Sequence, residues 1–216
     1  MEVNQAAEEL LEILEETHHQ DILVHVVAHA VVLVVVLVHV EAHVVAHAAA
    51  VVVHKYLNLN IMKSLLLPPE NLAHRDFSLK YVFLAGTIDM GQSEDWQTLM
   101  SDWFLTVGGW GVFNPRRRDW DSTWLQDHSN PAFSQQVRWE INAMDKSDLI
   151  LMYFAPSSKS PISLLELGMH LRSKKLHVVC PPGFYRKGNV DIVCDLFNIP
   201  LYESFNQFKD FLIKNE

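Results

Sequence analysis

Residues 149–168 read LILMYFAPSSKSPISLLELG. Leu149 to Phe154 run without a charged or small polar residue. A strand with one wet face alternates, whereas a strand buried on both faces reads as a continuous apolar run. APSSKSP (155–161) supplies turn chemistry. Ser160 then stands as a natural N-cap and Pro161 as a natural first helical residue. A helix is expected over Ile162–Arg172. Strand, polar turn and helix form half of a βαβ unit, which predicts a parallel sheet covered by helices.

The pattern extends both ways. YVFLA (81–85) reads as a first buried strand, GTIDMGQSED as a turn and Trp96–Val107 as a helix. GVFN (111–114) is a second strand, followed by the polar loop PRRRDWDSTWLQDHSNP and a helix over Phe133–Met144. After the third strand come LHVVC (176–180), a short helix Val190–Phe197, a short fifth strand PLY (200–202) and a closing helix Phe205–Ile213. The expected fold is α/β, a doubly wound, flavodoxin-like, five-stranded parallel sheet. Such sheets bind ligands at the carboxyl ends of their strands, so the loops at 86–95, 115–132 and 155–163 should line the site.

Residues 80–216 thus form the expected domain, with 58–79, which hold Pro68, Pro69 and Asn71, as a linker. Residues 1–57 are different. An acidic amphipathic helix is expected near residues 5–16. From Ile22 to Val53 almost every residue is Val, Ala, Leu or His, and HVVAHA stands at both 25–30 and 43–48. On a helical wheel His25, His29, His39, His43, His47 and His54 fall within roughly 80°. Length favours helix and valine content favours strand; helix is the reading adopted. Three roles stay open for 22–53: a low-complexity expansion, a membrane anchor, and metal binding through histidine pairs. An anchor would leave the domain cytoplasmic, because Lys55, Lys63 and Arg75 follow the tract.

The chain has 216 residues and a net charge of −9, with 26 acidic against 17 basic side chains. No basic stripe marks a nucleic-acid surface. Cys180 and Cys194, without metal-ligand spacing, suggest neither a disulfide framework nor a zinc site, and a reducing, intracellular setting is expected. The acidic N-terminus does not read as a signal peptide.

Glu166 lies in the second turn of its helix among Leu164, Leu165 and Leu167. A carboxylate walled by leucines near a ligand-binding loop is expected to be partly buried, and such burial must be compensated. Gly168 is expected to let this helix approach the sheet. Gly86–Gly91 has glycine spacing like a P-loop but lacks the Gly-Lys-Ser/Thr ending, which argues against ATP hydrolysis. Arg116, Arg117 and Trp120 sit in the long loop, where Arg grips phosphate and Trp stacks on bases.

Together, FLAGTID (83–89), NPRR (114–117), QVRWE (136–140), Asp148 and SPISLLELG (160–168) resemble the nucleoside 2-deoxyribosyltransferase-like family. The resemblance implies that Glu166 attacks the anomeric carbon of a nucleoside. It implies that Glu140, eight positions before Asp148, handles the base, and that Asp148 completes the catalytic set. Gly86, Thr87, Asp89, Arg116, Arg117, Trp120 and Ser160 are expected to bind substrate. The implied reaction is cleavage or exchange of an N-glycosidic bond through a glycosyl-Glu intermediate. Alternatives are a deoxynucleoside 5′-monophosphate N-hydrolase and a non-catalytic nucleotide-binding module. A small-molecule partner, no nucleic acid, no metal or cofactor and a homo-oligomer are expected. Two departures stand out. Ser160 occupies a place where transferases of the family carry Asp, and related hydrolases carry a Ser that helps hold a 5′-phosphate. Phe83 occupies the place of a first-strand Tyr, for which Tyr153 is a candidate substitute.

Overall fold

The computed structural model describes residues 64–89 and 93–215. The chain divides into residues 1–61 and 62–216. The acidic helix expected near 5–16 and the tract at 22–53 lie outside the described residues, and so do the three roles left open for that tract. No helix among the described residues is long and apolar enough to cross a membrane.

Six strands form one parallel sheet: β1 (Leu65–Leu66), β2 (Lys80–Gly86), β3 (Trp110–Phe113), β4 (Leu149–Tyr153), β5 (Leu176–Val179) and β6 (Leu201–Tyr202). Their order is β1-β3-β2-β4-β5-β6. Apart from the edge strand β1, this is the flavodoxin-like order, with a topological switch point between β2 and β4. There the register runs from Val82 opposite Leu149 to Gly86 opposite Tyr153. Five helices cover the sheet: α1 (Trp96–Val107), α2 (Pro131–Lys146), α3 (Pro161–His170), α4 (Lys187–Phe197) and α5 (Phe205–Asn215).

Alternation along the strands divides the core in two. Tyr81, Phe83, Ala85, Ile150 and Met152 face α2, α3 and α4 through Trp139, Met144, Leu167, Val190 and Cys194. Val82, Leu84, Leu149 and Leu151 face α1 and α5 through Trp96, Met100, Phe104, Phe208 and Leu212. Both faces are buried, which is why the strands read as continuous apolar runs.

The segment expected as a linker belongs in part to the sheet. Leu65 and Leu66 pair with Val112 and Phe113. Leu66 and Leu72 join the core, and the Trp139 indole donates to the Glu70 carbonyl at 2.8 Å. A two-residue strand beside Pro68 and Pro69 is too short to give a periodic signal. The sheet therefore has six strands rather than five.

Candidate active site

The switch point brings the loops after β2 and β4 together. Gly86 makes this approach work: its φ is 131°, and a Cβ there would overlap the Tyr153 backbone. Its role is thus to let two strands close. Thr87 N donates to the Tyr153 carbonyl at 2.9 Å, and Ala155 N donates to Thr87 Oγ1 at 3.0 Å. From the α1 side, the Trp96 indole and the Gln97 amide both donate to the Thr87 carbonyl.

A chain of hydroxyls fills this crossing. Thr87 Oγ1 lies 2.6 Å from Ser160 Oγ, and Ser160 Oγ lies 2.9 Å from Ser158 Oγ. Ser158 Oγ donates to Asp89 Oδ1 at 2.7 Å. Ser160 N donates to Ser158 Oγ at 3.1 Å. Thr87, Ser158 and Ser160 are all buried. Ser160 holds the N-cap position of α3, but its φ is 43° and its side chain makes no capping bond. The expectation of a helix cap is therefore corrected. Non-glycine residues pay for the left-handed region, and the hydroxyl chain supplies the compensating bonds. Asp89 is also left-handed, at φ 45°.

Glu166 is buried on α3, 9% exposed, and accepts no hydrogen bond from the described residues. Burial, and then the charge of Glu140, push its carboxyl up to about 8. Glu140 on α2 is partly buried, and burial pushes it up to about 7, against a hydrogen bond from Gln136. The two carboxyls are therefore close enough to feel each other in a poorly solvated place. Leu167 packs on this side, whereas Leu165 is turned outward, 60% exposed. Gly168 is exposed and a Cβ there would meet nothing within 4 Å, so close approach to the sheet is not its role.

Gln136 and Ser158 were missed by the sequence reading. Gln136 Nε2 donates to Glu140 Oε1 at 2.9 Å and to the Pro115 carbonyl at 2.8 Å. It thereby ties the loop after β3 to Glu140. Its spacing, four residues before Glu140 on one helix face, was the available signal.

Asp148 is a correction. It opens β4, at the end of the sheet away from the switch point, roughly 16 Å from Tyr153 at 3.3 Å per residue. It is exposed, and its carboxylate accepts from Tyr81 N at 2.8 Å. Its work is to hold β2 against the start of β4. Tyr153 does not replace the missing first-strand tyrosine. Its side chain packs with Trp96 and Phe205 on the α1/α5 face, while Glu166 lies on the other. Phe83 faces the Glu166 side, packed near Trp139, and has no hydroxyl to offer.

The arginines are already engaged. Arg116 pairs with Asp95 at 2.9 Å and donates to Gln97 Oε1. Arg117 pairs with Asp119 at 2.7 Å and lies over the Trp124 ring. Trp120 packs on Trp124, and its buried indole nitrogen has no partner among the described residues. Arg116, Arg117 and Arg118 also line a cleft of about 400 Å³ beside β1, β3 and α1, with Asp95 and Asp102. Neither Glu166 nor Glu140 lines this cleft.

Residues 79–184 match the family model described as nucleoside 2-deoxyribosyltransferase like. This part of the chain belongs to that family. No curated protein matches the chain. The nucleoside 2-deoxyribosyltransferase-like segment runs from the start of β2 to the loop before α4. It contains the switch-point loops, Glu140 and Glu166, and leaves β1, β6, α4 and α5 outside the match.

Proposed function

We propose that this protein breaks the N-glycosidic bond of a deoxynucleoside, with Glu166 as nucleophile and Glu140 as the acid that serves the base. The observation that carries this reading is the pair itself. Two carboxyls pushed up to about 8 and about 7 sit within electrostatic reach of each other, on helices packed against the same face of the sheet. Like charges in a desolvated site favour sharing a proton over double ionisation. As the bond breaks, the sugar gains positive character and the base gains negative charge. The first draws the pair's negative charge onto Glu166, and the second draws its proton through Glu140. Attack of a Glu166 oxygen on the anomeric carbon forms a glycosyl ester and releases the protonated base. A second base or water, deprotonated by Glu140, then takes the sugar and frees Glu166.

A 5′-monophosphate substrate is the second reading. It is favoured by the N-terminus of α3, which no side chain caps and whose dipole attracts anions.

The test is release of free base from a panel of 2′-deoxynucleosides and their monophosphates. Glu166→Gln keeps the shape of the side chain and removes its nucleophilic charge. It should leave less than a tenth of wild-type turnover in a folded protein. Higher retention would rule out Glu166 as nucleophile. Adding a second base should speed release in a transferase and leave it unchanged in a hydrolase.

A further inference from the structure

The hydroxyl chain at the switch point has a direction. A carboxylate only accepts, so Ser158 gives its one hydroxyl hydrogen to Asp89. In the contact between the two serines, Ser160 must then be the donor. That leaves Ser160 no hydrogen for its 2.6 Å contact with Thr87, where Thr87 must donate. Thr87 Oγ1 accepts from Ala155 N, and of the two acceptors near its hydrogen, the Tyr153 carbonyl at 3.4 Å and Ser160 Oγ at 2.6 Å, the far shorter contact takes it. Every hydroxyl hydrogen points toward Asp89, and Ser160 keeps only a free lone pair.

We propose that Asp89, acting through Ser158, is a positioning residue that makes Ser160 an acceptor, so that the crevice takes a neutral ligand hydroxyl in preference to a phosphate. This rests on the nucleoside reading of the site. A sugar hydroxyl brings its own hydrogen to the Ser160 lone pair. A phosphate brings only acceptor oxygens. Between phosphate and Ser160 there is no hydrogen unless the bond to Ser158 is broken, and the Asp89 charge opposes the anion as well. The serine that the family resemblance links to a 5′-phosphate is, in this chain, wired for the opposite polarity.

The experiment is calorimetric titration of the four 2′-deoxynucleosides and their 5′-monophosphates into the full chain carrying Glu166→Gln. The expected result is that nucleosides bind at least as tightly as their monophosphates. Ser158→Ala, which is charge-neutral, frees the Ser160 hydrogen. It should shift the ratio of the two dissociation constants at least about tenfold toward the monophosphate. Ser158→Thr keeps a hydroxyl and should restore the original ratio. If Ser158→Ala does not fold, Asp89→Gly removes the terminal acceptor and suits the left-handed backbone, with the same shift expected. Tighter monophosphate binding before any change at Ser158, an unchanged ratio in Ser158→Ala, or no nucleoside binding would each overturn the proposal. Nucleoside binding with the expected shift, but no base release by the unaltered chain, would overturn the catalytic reading and leave the relay standing.

Discussion

Burial and, after it, the charge of Glu140 raise Glu166, so removing the charge of Glu140 should let Glu166 ionise at somewhat lower pH. In Glu140→Gln the acid limb of kcat/KM should move to lower pH. Loss of the proton donor should depress turnover of natural bases by about 10² or more, the usual scale of general acid catalysis. A substrate whose leaving group needs no proton should be spared most of that loss. An unmoved acid limb, or equal losses on both substrates, would count against the pairing. At this scale the sequence was legible for burial written in one short run, as at Glu166 beside Leu167, although Leu165 turns outward. It was opaque where a residue acts across the fold. Ser158 meets Asp89 across 69 positions, and Gln136 meets the Pro115 carbonyl across 21. Asp148 was misread for the same reason: its partner, Tyr81 N, is 67 positions away.

The elements differ in how openly they are written. Trp96–Val107 was expected and found with the same bounds, because its apolar face recurs at helical spacing and Asp95 caps it through Thr98 N. The N-terminus of α2 lies at Pro131 rather than at Phe133, since Asn130 accepts from both Ala132 N and Phe133 N. β1 was hidden, being only two residues long. Its place in the sheet leads to a prediction about truncation. Removing residues 1–61 should leave a folded domain with a cooperative thermal transition. Removing residues 1–79 also strips Leu66 and Leu72 from the core, each worth about 1.5–3 kcal/mol when buried. The longer deletion should therefore melt at least several degrees lower. Equal melting temperatures would show that β1 adds nothing. At the switch point, Gly86→Ala should also destabilise strongly, by about 2 kcal/mol or more, because the Tyr153 backbone cannot yield as a flexible side chain would. A chemical-denaturation midpoint unchanged by that substitution would refute the close-approach role.

For the whole molecule, the carboxyl pair sets a cost that varies with pH. Both groups are raised above the ordinary value of 4.5, Glu166 to about 8 and Glu140 to about 7. The folded state therefore holds these protons more tightly than the unfolded chain. Their contribution is fully present below about pH 4.5 and is lost as pH rises through about 7 to 8. His177 runs the other way. Burial lowers it to about 4, so the stability it lends is present above its ordinary 6.5 and lost as pH falls through about 4. A single stability curve mixes these opposing trends. The difference between Glu166→Gln and the unaltered chain isolates one of them, because His177 is common to both. Glutamine stays neutral, so it avoids the charge that the fold resists. At pH 9 the variant should melt higher by roughly 5 °C, an amount typical of one to two kcal/mol in a domain of this size. The gain should shrink as pH falls and vanish near pH 4.5, where Glu166 is protonated in both states. A gain that does not change with pH would mean the substitution improves packing and that Glu166 is not held at a cost in charge. The expected pattern, joined to loss of turnover in the same variant, would place the instability of the fold and its chemistry in one carboxyl.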